Sequence, residues 1–387
     1  MRTIHQHLCG VIPPHILRHI ADDVDHADLA TRASASTTLE RMQTLAARSL
    51  RKAKKKRATA VKVEAAPAPA KHRNIYDAGH TQQLPGKLVK RETGAASTDV
   101  EVQEAFDGAG KTWDFFSTVY SRNSIDGKGL RLDSTVHYGK RFENAFWNGR
   151  QMVYGDGDGK LFLRFTSALD VIGHELTHGV TQYTAGLAYT NQTGALNEHL
   201  SDAFGIMVKQ YDRGLSAGQS DWIIGAGLFG PSVNGRGIRS MAAPGTAYND
   251  PVLGRDPQPA HMRDYVVTTD DNGGVHINSG IPNHAFYLAA TALGGPVWDV
   301  VGRVWYASLS YLLKQADFAA FATITYALAG RLFGAKGTVQ RAVGDAWSEV
   351  GLIPTGLTPS VMQALWLRSA QRRTERAGQE AEERLAA

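Results

Sequence analysis

The stretch "TSALDVIGHELTHGVTQYT" places Leu169, Ile172, Leu176 and Val180 at the spacing of one apolar face of an α-helix. Thr166 or Ser167 is its candidate N-cap, because a hydroxyl ahead of the first apolar position can accept from an unpaired backbone N–H. Further helical patterns lie in "ALNEHLSDAFGIMVKQY", "INSGIPNHAFYLAATALG", "VGRVWYASLSYLL", "DFAAFATITYALAGRLFG" and "TVQRAVGDAWSEVGL". From 168 onward the chain therefore reads as mainly helical. The preceding part, from "NIYDAGHTQQLPGKLV" to about residue 165, has short apolar runs, aromatics and turns such as "YGDGDGK", which predict strands mixed with helices.

The N-terminus has a different texture. "CGVIPPHILRHI" is a short apolar segment with a Pro-Pro step, and Leu29, Leu39, Met42, Leu45 and Leu50 follow at helical spacing. This piece is too small to fold alone. The basic run "RSLRKAKKKR" and the Ala-Pro repeats of "TAVKVEAAPAPAKHR" then read as an extended, protease-accessible joint. The expected division is a precursor segment at 1–50, a basic linker at 51–72, a β-rich lobe at 73–182, a helical lobe at 183–365 and a charged extension at 366–387. No internal repeat is visible.

Composition narrows the class. With 387 residues, 43% hydrophobic and 20% charged, the chain can bury one large core or two lobes. The net charge is +5, but Arg48, Arg51, Lys52, Lys54, Lys55, Lys56 and Arg57 supply an excess within one short run. The body is near neutral, so neither a nucleic-acid nor a membrane partner is expected. A single cysteine, Cys9, excludes an intramolecular disulfide and argues against a cysteine-built zinc site. No run of eighteen apolar residues occurs, and the first residues lack the basic and apolar regions of a secretory signal. Secretion by a route without a recognisable signal peptide, or a cytoplasmic location, is the expectation.

The chemistry centres on "DVIGHELTHGV". His174 and His178 stand four residues apart, so a helix projects both imidazoles from one face, one metal's width apart, with Glu175 beside them. Two ordinary surface histidines would satisfy the same pattern. A carboxylate from a second helix decides against that reading: "GALNEHLSDAFG" places Glu198 and Asp202 at i and i+4. Glu198 suits a third zinc ligand, and Asp202 suits the group that orients one imidazole. His276, in "DNGGVHINSG", lies in a Gly-rich turn before a helix.

Together these motifs resemble the thermolysin family of neutral zinc metallopeptidases, and within it the protealysin-like branch with a short N-terminal precursor segment. "NIYDAGH", "NAFWNGRQMVYGDGDG", "HELTHGVTQYTAGLAY", "GALNEHLSDAFG", "RSM" and "DNGGVHINSGIPNHAFY" carry the resemblance, in order, from about Asn74 to Leu365. It implies an α+β fold of two lobes, β-rich and then α-helical, with the HELTH helix at the base of the cleft between them. It implies one catalytic zinc ion on His174, His178 and Glu198, and Glu175 as the group that polarises the attacking water. His276 and Tyr189 would donate to the oxyanion, with Asp271 orienting His276. Arg239 would hold a substrate carbonyl, and Asn144 and Ala145 would bind substrate backbone like an added strand. Phe162, Phe165, Val171, Ile224, Leu228 and Ile238 would line an apolar pocket for the residue after the cut. Pro13 and Pro14 match the motif by which the branch's precursor segment meets the catalytic domain, so the chain's own N-terminal segment is an expected occupant of the cleft. The implied product is a monomeric endopeptidase acting on peptides or proteins.

One departure stands out. The family's calcium pair is held by carboxylates whose matching positions here are Asp170, Lys209, Asp221, Ile223 and Ala226, so three of five are missing. Two aspartates cannot supply the six to eight oxygens calcium needs. The expectation is that the pair is absent and the Lys209 ammonium stands between the aspartates, which leaves a calcium site elsewhere open. Rival readings are a zinc protein that has lost catalysis, an aminopeptidase, and an RNA- or membrane-binding protein built on the basic run. Glu175 and His276 are both retained, no acidic anchor for a substrate amine is evident, and the basic run lacks interleaved aromatics.

Overall fold

The computed structural model describes residues 9–55, 70–354 and 367. Strand β1 (Cys9–Gly10) leads into helices α1 (Pro14–Asp22) and α2 (Leu29–Lys55). Pro14 takes the first helical position of α1, where a missing N–H leaves nothing unpaired. Ile16, Leu17 and Ile20 bury α1, and Leu39, Met42 and Leu45 of α2 pack against the body of the protein. Leu29, expected on that apolar face, is 77% exposed at the start of the helix. Helix α2 continues to Lys55, into the basic run. Residues 56–69 of the Ala/Pro stretch lie outside the described residues, as does the charged tail apart from the exposed Leu367.

The next lobe is one mixed sheet backed by a long helix. Strands β2 (Arg73–Asp77) and β3 (Lys87–Arg91) precede helix α3 (Val100–Tyr120), and β4 (Leu132–Val136), β5 (Ala145–Trp147) and β6 (Met152–Tyr154) follow it. The order across the sheet is β1-β5-β6-β4-β2-β3. Strand β4 runs parallel to both β2 and β6, while the other neighbours are antiparallel. Helix α3 starts on Asp99, whose carboxylate accepts the Val102 N–H, and buries Phe115 and Phe116 in the core.

Two helices then cross the centre of the molecule, α4 (Leu169–Tyr183) and α5 (Asn191–Arg213), packed side by side. The expected N-cap hydroxyls do not cap α4. Ala168 takes that position, because Thr166 donates instead to Glu104 at 2.7 Å and Ser167 to the Arg164 carbonyl at 2.8 Å. The close approach of the two helices rests on Gly205. A Cβ there would lie 2.4 Å from the Asp170 carbonyl and 2.9 Å from the His174 nitrogen.

The segment after α5 is the non-helical part of the mainly helical second half. Residues 214–270 are loops, short turns and ribbons, including β7 (Ile223–Ile224) paired with β8 (Arg239–Ser240). Gly225 and Gly227 adopt φ of +71° and +85° there, left-handed conformations that end regular helix. Helices α6 (Asp271–Asn278), α7 (Gly280–Leu293), α8 (Val301–Ser308), α9 (Phe318–Phe333) and α10 (Thr338–Glu349) complete the lobe. Among the described residues no helix is long and apolar enough to cross a membrane.

Candidate active site

Helices α4 and α5 bring the expected metal ligands together. The Nε2 atoms of His174 and His178 lie 3.1 Å apart, and each stands 3.5 Å from a carboxylate oxygen of Glu198. All three residues are buried. Each ring nitrogen facing away from the cluster has a partner. His174 Nδ1 is 2.8 Å from Asp202, and His178 Nδ1 is 2.9 Å from the Asn197 side-chain oxygen and 3.0 Å from the Ser201 hydroxyl. Those bonds turn the Nε2 lone pairs towards one another and towards Glu198.

Burial holds both histidines in the neutral, ligating form, and pushes His178 down to about 3. Glu198 Oε2 and Glu175 Oε1 are buried without a hydrogen-bond partner among the described residues. Converging lone pairs and orphaned carboxylate oxygens of this kind fit a small divalent ion and a water beside it. Glu175 is anchored through its other oxygen, which accepts the Trp147 N–H at 2.8 Å. Burial raises its carboxyl well above the ordinary range, and the charge of Glu198 adds to that.

On the opposite rim, His276 Nε2 stands 3.4 Å from Glu198 Oε2 and 3.3 Å from the Tyr189 hydroxyl, which donates to Glu198 at 2.5 Å. Asp271 holds His276 twice, at Nδ1 (2.7 Å) and at the backbone N–H (2.9 Å). Burial disfavours the imidazolium, but the charges of Asp271 and Glu198 raise its pKa to about 9. The backbone makes this possible at Asp271, Asn272, Gly273 and Gly274, four consecutive residues at positive φ that fold Asp271 back over the helix start.

Asp202 carries more than one imidazole. Arg239 grips it through Nε (2.8 Å) and Nη2 (2.7 Å), and Asn283 donates to it at 2.8 Å. Burial alone would raise its pKa, but the Arg239 charge and the bond to His174 hold it below the ordinary range. Asn197, Ser201, Asn283 and the Trp147 N–H were not singled out from the sequence. The first two form an i, i+4 pair beside Glu198, the signal that could have found them.

The N-terminal segment lies in this site as an extended strand. Cys9 and Gly10 pair antiparallel with Trp147 and Phe146. The Val11 N–H donates to the Ala145 carbonyl at 3.0 Å and also faces Glu175. The Val11 carbonyl accepts from Arg239 at 3.2 Å. Asn144 brackets Ile12, accepting its N–H at 2.9 Å and donating to its carbonyl at 3.1 Å. Beyond Pro13 and Pro14, His15 Nε2 meets the Tyr248 hydroxyl at 3.1 Å. Phe162, Phe165, Val171, Ile224, Leu228 and Ile238 all belong to one buried apolar cluster, with Ile224 paired directly to Arg239 across β7 and β8.

Lys209 occupies the place expected of it. Its ammonium donates to Asp170 at 2.8 Å, to Asp221 at 3.0 Å and to the Ile223 carbonyl at 2.8 Å. Ile223 thus contributes an oxygen as well as apolar packing.

A His/His/Glu cluster with a neighbouring buried glutamate and a cationic rim defines a zinc metallopeptidase. The family signatures described as "Thermolysin metallopeptidase, catalytic domain" and "Thermolysin metallopeptidase, alpha-helical domain" match residues 42–182 and 185–352. The chain is 51% identical over 348 residues to the extracellular metalloprotease of Pectobacterium carotovorum subsp. carotovorum, covering 89% of this chain and 96% of that one. It is 43% identical over 352 residues to protease PrtS of Photorhabdus sp. (strain Az29), covering 89% and 92%. Among solved structures, the precursor of protealysin, a metalloproteinase from Serratia proteamaculans, matches with a TM-score of 0.79 and 50% identity over 89% of this chain and 99% of that one. The chain belongs to the thermolysin family, in its protealysin-like branch, and is a zinc metalloprotease of precursor form.

Proposed function

We propose that the chain is a latent endopeptidase that cuts internal peptide bonds on the amino side of bulky apolar residues, in peptide or protein substrates, as a monomer. His174, His178 and Glu198 hold the zinc, which when bound supplies the Lewis acidity that lowers a water's pKa towards ~7. Glu175 takes the water's proton and passes it to the leaving amine. His276 and Tyr189 donate to the oxyanion as charge develops, a contribution of roughly 3 kcal/mol per donor. Asp271 keeps His276 turned inward, and Asp202 orients His174 while sharing Arg239 with the substrate carbonyl.

The observation that carries this reading is the position of Val11. Its N–H faces Glu175 and its carbonyl sits on Arg239, so the chain's own segment displays the contacts proposed for a substrate. Residues 1–50 act as the occupant that keeps the enzyme latent, and cleavage between about 48 and 72 releases it. The 73–182 and 183–365 lobes form the mature enzyme, and 366–387 are an appendage. The Lys209 ion pairs support absence of the family's calcium pair. Relatives named extracellular support a working site outside the cell. The test is Glu175→Gln, which should retain zinc by elemental analysis yet fail to cut an end-blocked peptide, while His178→Ala should lose the metal. Zinc loss in Glu175→Gln would remove the assigned role.

A further inference from the structure

Strands β2, β4 and β6 are neighbours and run parallel, so their carboxyl ends open on one edge of the sheet. That edge of a parallel sheet is where ligands commonly sit. Three chemistry-bearing residues stand there: His80 just beyond β2, His137 immediately after β4, and Asp156 just beyond β6. The His80 N–H donates to the His137 carbonyl at 2.9 Å, which ties the first two loops together.

The side chains converge. His137 Nδ1 lies 3.1 Å from both oxygens of Asp156, and His80 Nδ1 lies 3.3 Å from Oδ2 of the same carboxylate. The two rings are tilted, with centroids 5.4 Å apart. The two histidine–carboxylate separations, 3.1 and 3.3 Å, are close to the 3.5 Å of the corresponding pairs in the active site, and all three ligand atoms lie within 4.8 Å of one another. The far nitrogen of His137 is also served, since Nε2 is 3.0 Å from Asp99, itself fixed by accepting the Val102 N–H. A carboxylate behind the ring is how ligating imidazoles are oriented, and Asp202 stands behind His174 in the same way. Both histidines adopt left-handed backbone conformations, φ +58° and +53°. Such conformations are costly for non-glycine residues and gather where geometry serves a site.

We propose that His80, His137 and Asp156 form a second metal site that takes an imidazole-preferring divalent transition ion such as Zn2+, Ni2+ or Cu2+. Two nitrogens and one carboxylate suit those ions, whereas calcium and magnesium prefer oxygen. The His80 side chain is 55% exposed, so the fourth position faces solvent and the ion exchanges freely. The site would add a side-chain link just beyond the ends of three strands already paired in the sheet. A purely structural arrangement, with His137 as a charged bridge between Asp99 and Asp156 and His80 as a further ion-pair partner of Asp156, would take up no ion.

That difference sets the test. Full-length chain carrying Glu175→Gln, to prevent self-cleavage, is dialysed against Zn2+ and its metal content measured. Two equivalents are expected, falling to one on adding His80→Ala, and Ni2+ should bind the His80→Ala form at least tenfold more weakly. Added Zn2+ should raise the melting temperature of the parent and not of His80→Ala. Equal metal content with and without His80 would overturn the proposal. So would loss of the second equivalent in Glu101→Gln with retention in His80→Ala, which would move the ion to the Asp99 and Glu101 side of His137.

Discussion

The Arg239 guanidinium binds two groups at once: it clamps Asp202 behind His174, and its Nη1 donates to the carbonyl of Val11 at 3.2 Å. One cation therefore links the metal centre to the backbone of the segment that fills the cleft. On the proposed reading a substrate reaches that donor only when Val11 has left it, so latency and substrate binding would compete for the same hydrogen bond.

Latency should be sensitive to Gly10. A Cβ there would lie 2.5 Å from Met42 Cε and 2.8 Å from Asn144 Nδ2. Met42 can swing aside, but Asn144 is held by both backbone groups of Ile12. Gly10→Ala should raise the peptidase activity of uncut chain severalfold, measured with a fluorogenic peptide while electrophoresis verifies that the chain is intact. Unchanged latency would mean that the strand adds little to occlusion.

His276→Ala should lower kcat/KM by on the order of 10²-fold with KM little altered, because a donor to developing charge acts on the transition state. Asp271→Asn should produce part of that loss. A rise in KM alone would make His276 a substrate-binding group.

Cleavage should precede Leu, Ile, Val or Phe. The six apolar residues assigned to the pocket are all buried in the core, Ile224 pairs directly with Arg239, and Val11 is the residue whose carbonyl Arg239 holds. A peptide library read by mass spectrometry tests this, and a preference for charged residues at that position would refute the pocket assignment.

Removing Lys209 should unbalance Asp170 in particular. The ammonium and that carboxylate are both almost fully buried, so Lys209→Ala strands a charge at a cost of about 3–5 kcal/mol. Asp221 is more exposed and adds less. The urea midpoint of the variant should fall clearly, while a chelator too weak to remove zinc should leave that of the parent unchanged. Strong stabilisation by added calcium would reveal a calcium site elsewhere, whereas an unchanged midpoint for Lys209→Ala would contradict the replacement of metal by an ion pair.

Rising pH, from the ordinary carboxyl range to about 8, should loosen the uncut form through Glu143. Neither of its oxygens has a hydrogen-bond partner among the described residues, and the nearby Ser34 hydroxyl of α2 donates to the Arg141 carbonyl instead. Burial, with the charge of Asp158 adding and that of Arg141 opposing, pushes its carboxyl up to about 8 from the ordinary 4.5. The folded chain then holds a proton that the unfolded chain has released, so stability is fully present below the ordinary value. It declines as pH rises towards 8, by on the order of a few kcal/mol. In a Glu175→Gln background, Glu143→Gln should flatten the fall in unfolding free energy between pH 5 and 8. The same slope in both chains would show that Glu143 is not its source.

The sequence by itself determined what depends on local spacing. Two imidazoles four residues apart on a helix, and Glu198 with Asp202 four apart on the next, share faces wherever those helices pack, because the helical repeat places them there. The family motifs extended this to His276, Tyr189, Arg239 and the Lys209 substitution, and the structure brings each to its expected neighbourhood. Only tertiary structure decided which groups complete the cluster. Asn197 and Ser201 reach His178 because Gly205 lets α4 and α5 approach, and Arg239 reaches Asp202 because the loop after α5 folds back as a ribbon. Thr166 lost its role as a cap to a carboxylate on α3, far away in sequence. His80, His137 and Asp156 carry no periodic signal at all; parallel strand pairing, a long-range event, sets them at one edge of the sheet.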